Sequence, residues 1–101
     1  MPFRHVVMFR WEDHVDADHV DQVRAGLSAL PSQIDVIRSY VHGTDAGASD
    51  GTYHYVVVAD FDDVADYRTY RDHPVHVALI DGLIKGNITD RAAIQYETGT
   101  T

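Results

Sequence analysis

The sequence contains no cysteine, which excludes disulfide bonds, thiolate catalysis and cysteine-based zinc sites. Basic residues are also scarce, because 8 Lys and Arg stand against 16 Asp and Glu, for a formal net charge of −8. A negative surface repels phosphate groups, so we expect neither nucleic acid nor a membrane surface as a partner. No apolar run approaches the roughly 20 residues that cross a bilayer, and no signal-peptide pattern opens the sequence. We therefore expect a cytoplasmic protein.

The sequence also lacks a phosphate loop, a dinucleotide-binding fingerprint, a nucleophile elbow, EF-hand spacing and the HExxH motif. Asp13, Asp16, Asp18 and His19 form an acidic cluster whose oxygens suit hard cations. Acidic residues are equally typical of the start of a helix, and we prefer that interpretation. We expect no metal and no cofactor.

The length and composition indicate one globular domain. The chain has 101 residues, of which 45% are hydrophobic and 24% charged. We place the domain at residues 3–97 and expect residues 98–101 to form a disordered tail.

Hydrophobic periodicity predicts four strands and three helices. In the first half of the chain we expect a strand over 3–11, a helix from Asp16 or Asp18 that Pro31 stops after Leu30, and a strand over 34–42. A glycine-rich loop over 43–51 leads to a strand over 53–61. A helix from Asp62 or Asp63 to His73, a helix over 74–86 and a strand within 88–96 complete the chain. The order β-α-β-β-α-α-β predicts an α+β, ferredoxin-like fold, in which helices cover one face of a four-stranded antiparallel sheet.

The other face of the predicted sheet is too apolar to remain in water. We assign to it Val6, Met8, Val36, Tyr40, Val56 and Val58. Two such faces packed together would bury these side chains, so we expect a homodimer that forms through the open sheet face.

Three segments resemble the stress-responsive A/B barrel (Dabb) family. They are FRHVVMFRW at residues 3–11, VVADFDDVADYRTYRDHPVH at 57–76 and ITDRAAIQYE at 88–97, and the most specific piece is the Tyr70-x-x-His73-Pro74-x-His76 run. The resemblance extends from Phe3 to Glu97 and implies a dimeric α+β barrel, in agreement with the periodicity.

Most members of that family have no assigned activity, but a plant branch contains a polyketide cyclase that closes a linear tetraketide by an aldol step. The resemblance implies that His5 lines a pocket and that Tyr70 and His76 supply acid–base chemistry. Two positions depart from the cyclase. Tyr55 stands where the cyclase has a histidine on its third strand, with His54 one residue away on the opposite face, and Leu27 replaces a tyrosine on the first helix.

Each candidate catalytic residue also has a structural interpretation. His5 lies on an apolar strand face and is either a core hydrogen-bonding residue or a base that burial keeps neutral. His76 lies in the first turn of a helix, which disfavours imidazolium and suits a base. Tyr70 either orients a histidine or a substrate carbonyl, or covers the edge of the core.

Four further residues are candidates for lining the pocket: Tyr55, Tyr67, Leu27 and His73. Tyr67 lies three residues before Tyr70 on the same helix and is expected mainly to pack. His73 precedes a proline and is expected to fix the corner between two helices by a backbone hydrogen bond. We interpret His14, His19 and His42 as solvated.

These features allow three functions. The first is an enzyme with a small-molecule pocket for an apolar or aromatic ligand, where His5, Tyr70 and His76 perform cofactor-free proton transfer of the cyclase, isomerase or lyase type. The second is a non-catalytic, stress-associated or ligand-binding oligomeric protein in which the same residues are core hydrogen-bond partners. The third, from fold analogy alone, is a cofactor-free oxygenase or a haem-degrading enzyme.

Overall fold

In the computed structural model, which describes residues 1–99, four strands form one antiparallel sheet. The elements are β1 (Phe3–Trp11), α1 (Ala17–Gln33), β2 (Ser39–Thr44), β3 (Tyr55–Phe61), α2 (Val64–Asp72), α3 (Pro74–Leu79), a π-helical turn (Ile80–Ile84) and β4 (Ile88–Glu97). The strand order is β2-β3-β1-β4, so β1 lies inside the sheet while β2 and β4 form its edges. The predicted ferredoxin-like α+β fold is confirmed.

The core lies between the helices and one face of the sheet. Alternate residues of β1 and β3 are buried there, and they meet Val23, Leu27 and Leu30 of α1. The strand residues on this face are Phe3, His5, Val7, Phe9, Tyr55, Val57, Ala59 and Phe61. Period-two alternation places them together because successive strand side chains point to opposite faces.

Helix α1 begins as predicted but ends later. Asp16 caps it, since its carboxylate accepts a hydrogen bond from the His19 amide at 2.9 Å. The prediction that Pro31 stops the helix after Leu30 is wrong, because α1 continues to Gln33. Proline removes one donor from the last turn, but that turn is still closed by the Ile34 amide, which donates to the Leu30 carbonyl at 2.9 Å.

Strand β2 occupies Ser39–Thr44 rather than residues 34–42. Ile34 and Ile37 belong to the turn that follows α1, and they are buried there beneath the helix. Tyr40 pairs with Ala59, which faces the helices, so the assignment of Tyr40 to the open face is wrong. Val36 precedes β2 and packs against the core, so its assignment to the open face is also wrong.

The segment after β3 folds as two helices that meet at a corner, as predicted. Asp63 caps α2, and its carboxylate accepts from the Asp66 amide at 2.9 Å. His73 is extended and precedes Pro74, which opens α3, because proline disfavours helical geometry in the residue before it. The predicted single helix over 74–86 is instead α3 followed by the π-helical turn, and Gly86 then reverses the chain at φ +82°.

The face of the sheet that the helices leave uncovered, the open face, has an apolar centre formed by Val6, Met8, Val41, Val56, Val58 and Ile94. Val41 and Ile94 remain 58% and 63% exposed. Ion pairs Arg4–Asp60 and Arg10–Asp90, with N–O distances of 2.7 and 3.5 Å, flank this centre. An apolar centre with a polar rim is typical of protein interfaces.

Among residues 1–99, no helix is long and apolar enough to cross a membrane. The predicted tail falls partly within this range, where the Thr98 amide donates to the Pro2 carbonyl at 2.9 Å. Residues 100 and 101 of that predicted tail lie outside the described residues.

Candidate functional site

A cavity of about 360 Å³ lies between the sheet and the helices. Its walls come from β1, α1, β2, β3, α2, α3, the π-helical turn and β4, and they are largely apolar. The lining residues are His5, Val7, Phe9, Leu27, Tyr40, Val57, Tyr67, Tyr70, Arg71, His76, Ile80, Ile84, Lys85, Ile88 and Arg91. A volume of this size is within the range of small-molecule sites, about 300–1,000 Å³.

His76 lies near the start of α3 and lines the cavity beside Tyr70, with 4.3 Å between the two ring centroids. Its Nδ1 is 3.0 Å from the Arg71 carbonyl, which can only accept a hydrogen bond. The neutral ring therefore carries its proton on Nδ1 and leaves Nε2 as a free acceptor. Burial lowers the pKa of His76, so the ring remains neutral near pH 7.

Apart from tyrosines, His5 is the only buried side chain of residues 1–99 that carries a polar group, with 5% of its surface exposed. The Gln95 amide nitrogen lies 3.0 Å from His5 Nδ1 and 3.0 Å from the Tyr67 hydroxyl oxygen. Since that amide donates to Nδ1, the neutral His5 ring carries its proton on Nε2. Burial, followed by the charges of Arg91 and His76, lowers the pKa of His5 to about 4.

Tyr70 and Tyr40 join α2 to β2 through a hydroxyl–hydroxyl distance of 2.8 Å. Burial raises the pKa of Tyr70 to about 12 and also raises the pKa of Tyr40. Both phenols are therefore neutral hydrogen-bonding groups and not phenolates at physiological pH.

The cavity thus combines a base with hydrogen-bond donors in apolar surroundings. His76 offers a lone pair on Nε2, whereas His5 offers a proton on Nε2, and Tyr70 adds a hydroxyl. Hydrogen bonds to a developing negative charge are stronger where water is excluded. Such an arrangement suits the removal of a proton from carbon next to a carbonyl group.

The structure brings together five of the seven residues that the sequence singled out: His5, Leu27, Tyr67, Tyr70 and His76. Tyr55 and His73 do not line this cavity. The Tyr55 hydroxyl lies 2.7 Å from His42 Nδ1, and His73 Nδ1 accepts the Val75 amide at 3.2 Å, which is the predicted corner-fixing role. His42 is only half exposed and its Nε2 also lies 3.0 Å from Ser28 Oγ, so the prediction that it is solvated is wrong.

Sequence reasoning missed Tyr40, Gln95, Lys85 and Arg91. Gln95 and Arg91 lie on the helix-facing side of β4, because they pair with His5 and Phe9. The alternation of β4 was visible, but its apolar members Ala92, Ile94 and Tyr96 face the open side. Knowledge of the pairing between β1 and β4 would have revealed both residues.

The acidic cluster lies at the start of α1. Asp16 is engaged as the cap of α1, and among residues 1–99 no group of three histidine or acidic side chains could hold a metal ion.

Comparisons with known proteins agree with this architecture. The model of a family described as Stress responsive A/B Barrel Domain matches residues 3–98. A dimeric ferredoxin-like protein of unknown function from Thermobifida fusca is 41% identical, with a TM-score of 0.89, and the match covers 96% of this chain and 91% of that one. A stress-response A/B barrel domain-containing protein of Arabidopsis thaliana is 28% identical over 92 residues, 81% of this chain and 80% of its own length.

A hydroxynitrile lyase from Passiflora edulis shares the fold, with a TM-score of 0.87 over 99% of this chain and 95% of that one. Its sequence is only 18% identical, so the similarity concerns the fold alone.

Proposed function

The chain belongs to the stress-responsive A/B barrel (Dabb) family, and from that premise we propose that it is an enzyme that removes a proton next to the carbonyl group of a small apolar or aromatic substrate without a cofactor. The observation that carries the proposal is the pair of neutral histidines in one cavity whose free Nε2 atoms have opposite roles. A base and a donor are the two groups that enolisation requires.

In this mechanism His76 Nε2 takes the proton from the substrate carbon. The electron pair of the broken C–H bond forms the C–C double bond of an enolate, and the carbonyl π pair moves to oxygen. His5 Nε2–H donates to that oxygen, and the Tyr70 hydroxyl, which also lines the cavity, provides a second donor. The imidazolium of the partly exposed His76 exchanges its proton with water and then returns a proton to the substrate.

The fate of the enolate defines the overall reaction. Return of the proton to another carbon gives isomerisation, whereas attack on a second carbonyl of the same substrate gives aldol cyclisation. Two positions depart from the plant cyclase. Leu27, at the first of them, lines the cavity, whereas Tyr55, at the second, does not. The proposal therefore concerns the type of proton transfer and does not include a polyketide substrate.

Deuterium exchange tests the proposal without knowledge of the final product. Aryl methyl ketones such as acetophenone and 4-acetylbenzoate are incubated with the protein in D₂O at pD 7.5, and the methyl proton signal is followed by NMR. We expect exchange well above that of an equal concentration of free imidazole. Absence of exchange for every ketone of the panel would contradict the proposal, and binding without exchange would favour a non-catalytic ligand-binding protein.

We also propose that two copies of the chain associate through their open faces. Dimeric proteins of the same fold, including the relative that is 41% identical, support self-association. The apolar centre of the open face supports this surface as the contact, because Val41 and Ile94 are largely exposed in the single chain.

Replacing Ile94 by aspartate tests this contact. A charge at the centre of a desolvated interface should raise the dissociation constant by about 100-fold or more. The fold of each copy should survive because Ile94 is exposed. Sedimentation velocity measures the change, and Val64→Asp, at an exposed site at the start of α2, is the matched control that should remain dimeric. A dimeric Ile94→Asp protein would place the interface elsewhere.

A further inference from the structure

The cations of this acidic chain are concentrated at its cavity. Lys and Arg number 8 in the sequence, and three of them, Arg71, Lys85 and Arg91, line the cavity. None of the 16 acidic residues is among the lining residues. The local charge of the cavity wall is therefore opposite to the net charge of −8.

Within residues 1–99, two of these three cations have no carboxylate partner of their own. The Arg71 guanidinium donates two hydrogen bonds to Asp72, at 2.8 and 2.9 Å, which neutralises its charge locally. Neither Lys85 nor Arg91 forms a side-chain hydrogen bond or an ion pair within residues 1–99. Lys85 is also the only lysine in the sequence.

The backbone brings both side chains to the cavity. The Lys85 amide donates to the Ile80 carbonyl at 2.8 Å, which is the i→i+5 bond of the π-helical turn. Lys85 is extended and lies directly after this turn, whose Ile80 and Ile84 line the cavity wall. Arg91 pairs with Phe9 on the helix-facing side of β4, and its charge contributes to the low pKa of His5.

The exposed fractions of the lining side chains divide the cavity into a buried inner part and an exposed mouth. His5, Val7, Phe9 and Val57 are buried, whereas Lys85 and Arg91 are exposed. An apolar chamber with two unpaired cations at its mouth matches a ligand that has an apolar body and one anionic end. The planar fork of arginine fits the two oxygens of a carboxylate, as the Arg71–Asp72 pair of this chain illustrates.

We propose that the cavity takes a small organic carboxylate whose apolar or aromatic body lies in the chamber and whose carboxylate is bound by Lys85 and Arg91. This proposal rests on the proposed function, because it names the substrate class of that same cavity. Binding of the carboxylate at the mouth would hold the opposite end of the body toward His5 and His76.

A matched pair of ligands tests the proposal. 4-Acetylbenzoate and its neutral amide, 4-acetylbenzamide, have nearly the same shape and differ in charge. Dissociation constants are measured by titration of the ¹⁵N-labelled protein, with the amide shifts of cavity residues as the readout. We expect the carboxylate to bind roughly tenfold more tightly than the amide, because a tenfold difference in affinity is what one charge-assisted hydrogen bond contributes.

Two variants locate the charge effect. Lys85→Gln and Arg91→Gln should each reduce or abolish the preference for the carboxylate and leave the affinity for the amide unchanged. Arg68→Gln is the matched control, since it removes the same charge from an exposed residue outside the cavity and should retain the preference.

The outcomes separate this proposal from the proposed function. Equal binding of the two ligands, or a preference that survives in the Lys85→Gln/Arg91→Gln double variant, overturns the carboxylate proposal alone. Failure of both ligands to shift cavity residues, together with absence of deuterium exchange, overturns both proposals.

Discussion

Replacing His76 by alanine is expected to lower the rate of ketone deuterium exchange by about 10²–10⁴-fold, the usual contribution of a positioned general base. The reason is geometric, because the Arg71 carbonyl holds the proton of His76 on Nδ1 and leaves Nε2 free to accept a proton from the substrate. The measurement is the NMR exchange assay at a fixed protein concentration.

Two further variants make this result interpretable. His76→Asn retains an amide that can donate to the Arg71 carbonyl but has no base, so it should lose exchange to the same degree without loss of thermal stability. His14→Ala removes an exposed histidine that contacts Asn87 and is not among the lining residues, and it should exchange at the rate of the original chain. Retention of the full rate in His76→Asn would show that His76 is not the base.

Acidification from pH 7 to pH 4 is expected to lower the free energy of unfolding by about 3 kcal/mol through His5 alone. The pKa of His5 is about 4 in the folded chain and about 6.5 when exposed, so the unfolded chain binds more protons between these values. The contribution of the neutral ring is therefore complete above pH 6.5 and is lost as the pH falls toward 4. Burial also lowers the pKa of His76 and His42, which adds losses of the same sign.

Urea unfolding at pH 7 and at pH 4 measures this loss, with the protein concentration held constant because dimerisation adds to apparent stability. His5→Gln has no group that titrates and should show a smaller difference between the two conditions. His14→Ala should retain the difference seen in the original chain. An equal pH dependence for His5→Gln and the original chain would contradict the burial of a neutral imidazole at this position.

Period-two alternation was enough to place His5 in the core, because every second residue of β1 from Phe3 to Phe9 faces the helices. The predicted strand over 34–42 had no such constraint. Its apolar residues Ile34 and Ile37 pack in a turn, and the true β2 places Tyr40 toward the helices. The hydroxyl pair between Tyr40 and Tyr70 therefore could not be foreseen from the sequence.

The mouth of the cavity was hidden for a different reason. Strand β4 is an edge strand whose alternating residues Ala92, Ile94 and Tyr96 face the open side, so their hydrophobicity indicates the wrong face as the inner one. Arg91 and Gln95 then look like surface residues. The π-helical turn that precedes Lys85 is equally hidden, because a pattern with a period of 3.6 residues continues a regular helix through Ile80–Ile84.

The protonation of the two cavity histidines is the central claim, and the ¹⁵N chemical shifts of their rings measure it directly. A long-range ¹H–¹⁵N spectrum at pH 7 distinguishes a protonated ring nitrogen from a free one, with His5→Gln and His76→Asn assigning the signals. The account predicts two neutral rings, with the proton on Nε2 of His5 and on Nδ1 of His76. A charged ring at either position, or a proton on Nδ1 of His5 or on Nε2 of His76, would contradict it.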